Sequence, residues 1–246
     1  MKIHVLTIFP ELINIFKEWS IVGRTVDKNL LSLQAVDIRD FTKDKHRQVD
    51  DYPFGGGPGM IMKAQPIYDA LMSVRGENSK TIYLSPQGKS YNQEMAKDLS
   101  QEEHLILLCG HYEGIDNRIV DNYIDMEISI GDYVLTGGEV PAMVLIESII
   151  RLLPGALANE DSYSDESHYN GLLEHPQYTR PRNFQGLEVP EVLLSGNHKK
   201  IGEWKKIKSL ETTYKKRPDL LRNQILNEEE KKILEKIKSK TEDNIS

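Results

Sequence analysis

A single cysteine, Cys109, occurs among the 246 residues, which excludes an internal disulfide and any metal site built from several cysteines. Cys109 ends an apolar segment, so we expect a buried, inert thiol rather than a nucleophile. The chain has no run of about 18 apolar residues, and no membrane-spanning helix is expected. Residues 1–5 lead directly into a predicted strand, without the charged and apolar regions of a secretory signal peptide. These absences together favour a cytoplasmic protein.

Two common phosphate-binding motifs are also missing. The sequence has no G-x-x-x-x-G-K-[ST] segment, and no G-x-G-x-x-G follows the first predicted strand, which argues against a P-loop protein and a Rossmann dinucleotide site. The glycine-rich segment 54–60 lacks the lysine and the helix dipole that a phosphate loop would use. Histidines and carboxylates are not spaced as metal ligands, so no structural metal site is predicted. The sequence gives no sign for or against Mg²⁺ in catalysis.

The net charge of −7 conceals an uneven distribution along the chain. Residues 1–176 contain 15 Lys+Arg and 27 Asp+Glu, whereas residues 177–246 contain 16 and 11. Clustered basic residues with interspersed aromatics are typical of proteins that bind a phosphate backbone. A solvated, lysine-rich helical face would give the same pattern, and both interpretations stay open. The cluster comprises Lys199, Lys200, Lys205, Lys206, Lys208, Lys215, Lys216, Arg217 and Arg222, with Trp204 and Tyr214.

Predicted strands and helices alternate through the first 153 residues, which is typical of an α/β fold with a parallel sheet and helices on both faces. A polar, acidic segment follows and predicts a flexible interdomain linker. The sequence thus predicts an α/β domain at 1–158, a linker at 159–176 and a small all-helical domain at 177–246. Strands are predicted at 2–9, 30–38, 81–84, 104–109 and 124–130, and helices at 11–19, 66–74, 92–99, 115–122, 140–153, 198–207, 208–216 and 227–240.

Three glycine-containing loops follow predicted strands, at 84–88, 109–116 and 130–139. Open α/β sheets bind their ligands beyond the carboxyl ends of the strands. Glycine allows backbone groups to approach a ligand closely because it has no Cβ. Ordinary turns would explain any one of these loops. Three in one domain indicate a small-molecule pocket made mainly of main chain.

Six segments resemble, in order and with near-family spacing, the bacterial tRNA (guanine-N1)-methyltransferases of the SPOUT superfamily. The resemblance implies that the C-terminal part of the sheet forms a trefoil knot and that S-adenosylmethionine (SAM) is the methyl donor. It implies methylation of N1 of guanosine 37, adjacent to the tRNA anticodon. It also implies a homodimer in which the linker and helical domain of one subunit complete the site of the other. The segments are 50–60, 83–88, 110–116, 129–135, 178–181 and 194–198.

The resemblance also assigns residues to the cofactor and to the tRNA. tRNA contacts fall on Asp50, Gly59, Glu113 and Ser195, and the basic cluster adds Lys205, Lys206 and Lys208. Cofactor contacts fall on Tyr83, Leu84, Ser85, Pro86, Gly110, Tyr112, Glu113, Gly114, Ile130, Gly131, Asp132, Tyr133, Val134, Leu135, Gly137 and Gly138.

The catalytic residues follow from the chemistry and the resemblance together. Guanine N1 carries a proton and becomes a good nucleophile only when a base removes it. A nearby cation can stabilise the negative charge that then spreads toward O6. The resemblance assigns the cation to Arg151 and a catalytic aspartate to a linker position that holds Glu166 here. Asp165 is the rival base if the register shifts by one residue.

Two other functions stay open at this level. The replacement of the family's aspartate by glutamate would suit an RNA-binding protein of the same fold that lacks turnover. A different RNA methyltransferase of the superfamily, such as a ribose 2′-O enzyme, would not need a base for a ring nitrogen. The long loop at 54–60 and the basic C-terminal segment favour the guanine-N1 activity.

Overall fold

The computed structural model of the chain describes residues 1–157, 166–222 and 224–243. The chain divides into two compact units, Met1–Glu160 and Asp161–Ser246. None of the described helices combines the length and the apolar character that crossing a bilayer requires.

The first unit is an α/β domain with a five-stranded sheet. The strands lie in the order β2-β1-β6-β5-β7, and every neighbouring pair is parallel. This arrangement confirms the predicted parallel sheet. The elements are β1 (Lys2–Thr7), α1 (Pro10–Lys17), α2 (Ser20–Asp27), β2 (Ser32–Asp37), a 3₁₀ helix (Ile38–Phe41), β3 (Asp50–Asp51), β4 (Ile61–Met62), α3 (Ala64–Val74), β5 (Ser79–Ser90), α4 (Gln93–Ser100), β6 (His104–Cys109), α5 (Asn117–Tyr123), β7 (Met126–Ser129) and α6 (Glu139–Ile150).

Helices cover both faces of the sheet, as predicted. Strand β6 is central, and its side chains alternate between two hydrophobic clusters. Leu105 and Leu107 join the cluster formed with α1, α2, α4 and α6. Ile106 and Leu108 join the cluster formed with α3, α5 and the 3₁₀ helix. Because both faces are buried, the strand is a continuous apolar run rather than an alternating one.

Two elements of the first unit differ from the prediction. Helix α2 was not predicted, because its β-branched residues and Gly23 have weak helix propensity; it forms with Val22 buried in the core. Strand β5 continues to Ser90, six residues beyond the predicted end. Its extension pairs a second time with β7, since Leu84 and Lys89 both lie opposite Ile128.

The second unit is mainly helical, but the prediction of an all-helical domain is wrong. It contains a two-stranded antiparallel hairpin of β8 (Asn183–Phe184) and β9 (Leu187–Glu188). Gln185 and Gly186 both have positive φ, 54° and 86°, as a two-residue hairpin turn requires. The helices are α7 (Glu191–Leu194), α8 (His198–Lys216), α9 (Pro218–Arg222) and α10 (Glu228–Asp243), so that one long helix replaces the two predicted at 198–216.

Part of the predicted flexible linker is fixed to the second unit. The N–H of Leu173 donates to Thr213 Oγ1 at 2.9 Å, and Ser209 Oγ donates to the carbonyl of Leu173 at 2.6 Å. Thr213 and Ser209 belong to α8. The acidic, polar composition predicted a flexible segment here, but both backbone groups of Leu173 have partners on the helix. The first residues of the predicted linker, 159–165, lie outside the described residues.

Candidate active site

Three loops surround one pocket at one edge of the sheet. One is the irregular segment within β5 after Leu84, and the other two follow the adjacent strands β6 and β7. Every residue that the sequence assigns to the cofactor lines this pocket except Asp132, which is exposed and outside the lining. The cofactor contacts themselves stay a prediction. The pocket also includes residues that the sequence did not assign, namely Gln87, His111, Ile128, Ser129, Thr136 and Pro141.

Tyr83 forms an inner wall of the pocket. Its side chain is buried, and a Cβ on Gly110 would lie 2.9 Å from its phenol oxygen. The ring can therefore approach the loop after β6 only because residue 110 is glycine. Burial, together with the negative charge of Glu127, raises the pKa of Tyr83 to about 12. The phenol consequently stays protonated at neutral pH.

Main-chain contacts join the loop after β6 to the loop before α6. The N–H of Gly138 donates to the carbonyl of Gly110 at 3.0 Å, and His111 and Gly137 form an isolated antiparallel bridge. A Cβ on Gly138 would lie 2.7 Å from the Cα of Cys109. Glycine at position 138 thus permits the two loops to lie side by side.

A buried carboxylate, Glu139, lies behind these loops and was missed by the sequence analysis. Its Oε1 accepts a hydrogen bond from Thr7 Oγ1 at 2.5 Å, and its Oε2 lies 2.8 Å from His111 Nε2. Glu139 is 4% exposed. An acidic residue in the first turn of a helix is ordinarily a solvent-exposed complement to the helix dipole. Only the tertiary structure reveals that this one is buried.

Cys109 lies close to this carboxylate and is fully buried. Burial, together with the negative charge of Glu139, raises the pKa of the thiol well above its usual value. The prediction of a buried thiol is thereby confirmed. Within the described residues, no three His, Cys, Asp or Glu side chains are placed to hold a metal ion.

The glycine-rich segment 54–60 reaches the mouth of the pocket. A Cβ on Gly59 would lie 2.3 Å from Glu113 Cγ, and the N–H of Glu113 donates to the carbonyl of Met60 at 3.0 Å. Two of the predicted tRNA contacts, Gly59 and Glu113, are therefore neighbours. The third, Asp50, lies in β3 at the base of the same segment, paired with Met62 of β4.

Comparison with known proteins shows the family to which this chain belongs. The family model described as tRNA (Guanine-1)-methyltransferase TrmD matches residues 1–223. A tRNA (guanine-N(1)-)-methyltransferase of Ruminiclostridium cellulolyticum is 60% identical over 223 residues, covering 89% of this chain and 96% of the relative. One from Clostridium botulinum strain Langeland is 56% identical, covering 98% of this chain and all of the relative. The chain belongs to the tRNA (guanine-1)-methyltransferase family.

Membership of this family makes the chain an enzyme, a methyltransferase of tRNA modification. Its predicted catalytic residues fall in different parts of the structure. Arg151 is the C-terminal cap residue of α6, and its N–H points to the carbonyl of Glu147. Glu166 begins the turns of the second unit, where its carbonyl accepts from the N–H of Tyr169 at 3.2 Å. The rival base, Asp165, lies outside the described residues.

The basic residues predicted for tRNA differ in their partners. Lys206 forms ion pairs with Glu229 and Glu230, and Lys208 pairs with Glu211 at 2.7 Å. Lys205 has no ion pair among the described residues. The remaining predicted contact, Ser195, donates its hydroxyl to the carbonyl of Val192. The predicted three-lysine patch is thus partly neutralised within the unit.

Two further lysines of the cluster are exposed and lack an ion pair within the described part of the chain. Lys199 and Lys200 lie in the first turn of α8, which Asn197 caps by accepting from the N–H of Lys200. Positive charge at a helix N-terminus is unfavourable for the helix. These two lysines are therefore better placed than Lys206 or Lys208 to meet a phosphate.

Proposed function

We propose that the enzyme transfers a methyl group from SAM to N1 of guanosine 37 in tRNA. The observation that carries this proposal is the meeting of three glycine-containing loops at one pocket, at the carboxyl edge of the parallel sheet. That edge is where open α/β sheets bind ligands. Family membership supplies the class of reaction.

The charge of the pocket suits SAM better than a phosphorylated cofactor. Glu113 is the one carboxylate among the lining residues described, and these residues include no lysine or arginine. A sulfonium and an ammonium group would meet an acidic, largely apolar and main-chain surface there, whereas a phosphate would meet no fixed cation. Pro86, Val134 and Leu135 offer apolar surface for an adenine ring. When bound, SAM supplies an electrophilic methyl group.

The protein's own contribution is to activate the nucleophile. In the proposal, Glu166 removes the proton from guanine N1, and Arg151 stabilises the negative charge that develops on O6. Glutamate is one methylene longer than the aspartate of the family, and its intrinsic pKa is only about 0.4 unit higher. The substitution therefore alters reach more than basicity. Asp165 is the alternative base.

We also propose that the loops form a trefoil knot. Support comes from strand β5, which pairs with β7 both before and after the segment 85–88, so that this segment forms a closed loop beside β7. After β7 the chain returns to the loop that follows β6, where Gly138 bonds to Gly110. Helix α6 then covers one face of the sheet. Such a return is what threading through the loop requires.

A homodimer is the third part of the proposal. Exposed apolar side chains of α1 and α6, together with Trp19 just after α1, define an apolar surface of α1 and α6 that comprises Leu12, Ile15, Trp19, Val140 and Val144. Ile15 is 70% exposed and Trp19 68%. Helices α1 and α6 contact each other, and exposed apolar patches mark interaction sites. In the proposal, a second copy of the chain covers this surface, and its linker brings Glu166 to the pocket.

The decisive experiment measures tritium transfer from labelled SAM to tRNA transcripts that carry G or A at position 37. We expect incorporation only with G37. Glu166→Gln should reduce turnover by roughly two to four orders of magnitude with near-normal binding of SAM and tRNA, because it removes only the proton acceptor. Glu166→Asp, which restores the family's residue, should keep most of the activity.

The matched control is Asp165→Asn, which should lose much less activity than Glu166→Gln. A dead Asp165→Asn variant with active Glu166→Gln would move the base to Asp165. Full activity in both variants would exclude proton abstraction by this segment. Absence of methyl transfer to any G37 transcript by the parent enzyme would contradict the proposed reaction itself.

A further inference from the structure

The hydrogen bonds around Glu139 join three segments that are distant in sequence. Thr7, at the end of β1, donates its hydroxyl to Glu139 Oε1 at 2.5 Å, and its Oγ1 also accepts from the N–H of Phe9 at 2.9 Å. His111, in the loop after β6, meets Glu139 Oε2 at 2.8 Å. The ring of Phe9 packs edge-on against the imidazole with centroids 4.9 Å apart. The end of β1 and the turn after it therefore contact the loop after β6, through His111, and the start of α6, through Glu139.

The burial of Glu139 makes its hydrogen-bond partners important. A buried carboxyl group needs a hydrogen-bond partner at each oxygen, because desolvation without partners is costly. The Thr7 hydroxyl donates to one oxygen. His111 Nε2 lies at hydrogen-bond distance from the other, to which the Nε2–H tautomer of the ring donates. Since the N–H of Phe9 already occupies the Thr7 oxygen, the hydroxyl proton is directed to Glu139. Rotation of any one of these side chains would leave a buried polar atom of Glu139 without its partner.

Close approach adds a second constraint on the same network. A Cβ on Gly137 would lie 2.0 Å from His111 Nε2 and 2.6 Å from Glu139 Oε2. The carboxylate and the imidazole thus occupy the space beside the backbone of the loop before α6. The network therefore packs against the end of that loop, whose residues 132–136 are exposed.

We propose that Thr7 and Glu139 are positioning residues that set the affinity of the pocket for SAM by fixing the two loops through His111. The inference rests on the proposed function. Neither Thr7 nor Glu139 lines the pocket, whereas His111 does. Loops that are ordered before binding do not lose conformational entropy when the ligand arrives. A substitution at Thr7 therefore reports positioning alone, without removing a ligand contact.

The test compares Thr7→Val with the parent full-length enzyme. Valine keeps the shape of threonine but removes the hydroxyl, so one oxygen of Glu139 loses its donor. We expect the affinity for S-adenosylhomocysteine, measured by calorimetry, to fall about 10- to 100-fold, which corresponds to a lost hydrogen bond to a charged group. The KM for SAM should rise while the KM for tRNA stays unchanged. Thr7→Ser, which retains the hydroxyl, should restore affinity to within about threefold.

Thr25→Val is the matched control. Thr25 is also fully buried in the first unit and donates its hydroxyl to the carbonyl of Ile21 at 2.7 Å, but on helix α2. We expect it to lower the unfolding midpoint without changing affinity for S-adenosylhomocysteine. Equal loss of affinity in Thr25→Val and Thr7→Val would indicate general destabilisation and overturn the inference.

A second variant covers the case in which Thr7→Val does not fold. Glu139→Gln keeps the size of the side chain but places an amide NH₂, itself a donor, opposite either Thr7 or His111. We expect the affinity for S-adenosylhomocysteine to fall about tenfold. Parent-like affinity in whichever of Thr7→Val and Glu139→Gln folds would overturn the positioning roles while leaving the proposed function intact. A parent enzyme that binds neither SAM nor S-adenosylhomocysteine would overturn both.

Discussion

Thr81 carries the one side-chain oxygen that is buried without a hydrogen-bond partner among the described residues that are not exposed. It lies in β5 and is fully buried, while its backbone is satisfied by Asp125 through a 2.7 Å bond from the Thr81 N–H. A buried hydroxyl without a partner is unfavourable. Because it lies outside the pocket lining, we assign it no part in the reaction.

Thr81→Val should therefore stabilise the enzyme. Valine removes the hydroxyl at nearly constant volume and suits a strand, so we expect the free energy of unfolding to rise by about 1 kcal/mol. Urea denaturation followed by circular dichroism measures the change. Thr25→Val is the control with the opposite expectation. The Thr25 hydroxyl donates a hydrogen bond to Ile21, so its removal should lower the free energy of unfolding. A destabilised Thr81→Val variant would indicate that the hydroxyl has a partner after all.

Two histidines on adjacent strands predict how stability depends on pH. His4 Nδ1 lies 2.8 Å from His104 Nε2, and His4 Nε2 lies 3.2 Å from Gln34 Oε1. Burial, with the nearby charges of Lys2 and His104, lowers the pKa of His4; burial and Lys2 lower that of His104. Protonation of both rings would leave no acceptor between them.

Because both pKa values are lower in the folded state, the unfolded state binds more protons just below the usual histidine pKa. Stability is thus complete above about pH 6.5 and is lost as pH falls through the lowered values. The measurement is the free energy of unfolding at pH 8, 6.5 and 5.5. His4→Gln with His104→Gln should reduce the slope in this window. An unchanged slope would assign the pH dependence to other groups.

At the scale of elements, helix α8 separates two kinds of lysine. Lys206 and Lys208 are paired with carboxylates, whereas Lys199 and Lys200 lie exposed in its first turn and have no ion pair in the described parts of the chain. Only a cation that is not already neutralised releases counterions fully when it meets a phosphate. Sequence alone treats all four alike.

The Lys199→Ala/Lys200→Ala variant should weaken tRNA binding more than Lys206→Ala/Lys208→Ala does. We expect the slope of log affinity against log salt to decrease by roughly two in the first variant and by clearly less in the second. Filter binding at several salt concentrations gives both slopes. Affinity for S-adenosylhomocysteine should be unchanged in each. Equal slopes in both variants would contradict the assignment of the exposed pair.

Some strands could be predicted from the sequence and others could not, for physical reasons. Strand β6 was predicted with its observed bounds because a fully buried strand is a continuous apolar run. The hairpin of β8 and β9 was missed because two-residue strands carry no periodicity, and Gln185-Gly186 is a weaker turn signal than Asn-Gly. The residues that the family motifs assign to the cofactor line the pocket, except Asp132. The motifs could not indicate Thr7 or Glu139, because the contact between them joins segments distant in sequence.

At the scale of the whole molecule, the proposed homodimer would both cover the apolar surface of α1 and α6 and bring Glu166 to the pocket of the partner. The exposed residues of α1 and α6 belong to the first unit, which also holds the pocket, whereas Glu166 belongs to the second. A two-fold dimer places each element of one subunit opposite the same element of its partner. Composite sites would then occur in pairs, and each could be inactivated from either subunit.

Mixed dimers test this arrangement. One variant, Glu166→Gln, keeps its pocket but lacks the base. The other, Gly131→Val, keeps the base but loses the pocket, because a Cβ there would lie 2.5 Å from the ring of Tyr133 and residue 131 has φ of +151°. Each homodimer should be nearly inactive. Random assembly of equal amounts would place half of the molecules in mixed dimers, each with one intact composite site.

Co-refolded mixtures should therefore recover about a quarter of the parent activity in the tritium-transfer assay. Adding Ile15→Asp to both variants supplies the control, because a charge in the apolar surface of α1 and α6 should prevent association, which sedimentation velocity can verify. Recovery should disappear in that pair. If the plain mixture recovers no activity although mixed dimers are present, base and pocket act within one subunit. Recovery by Ile15→Asp monomers would likewise exclude a site shared between subunits.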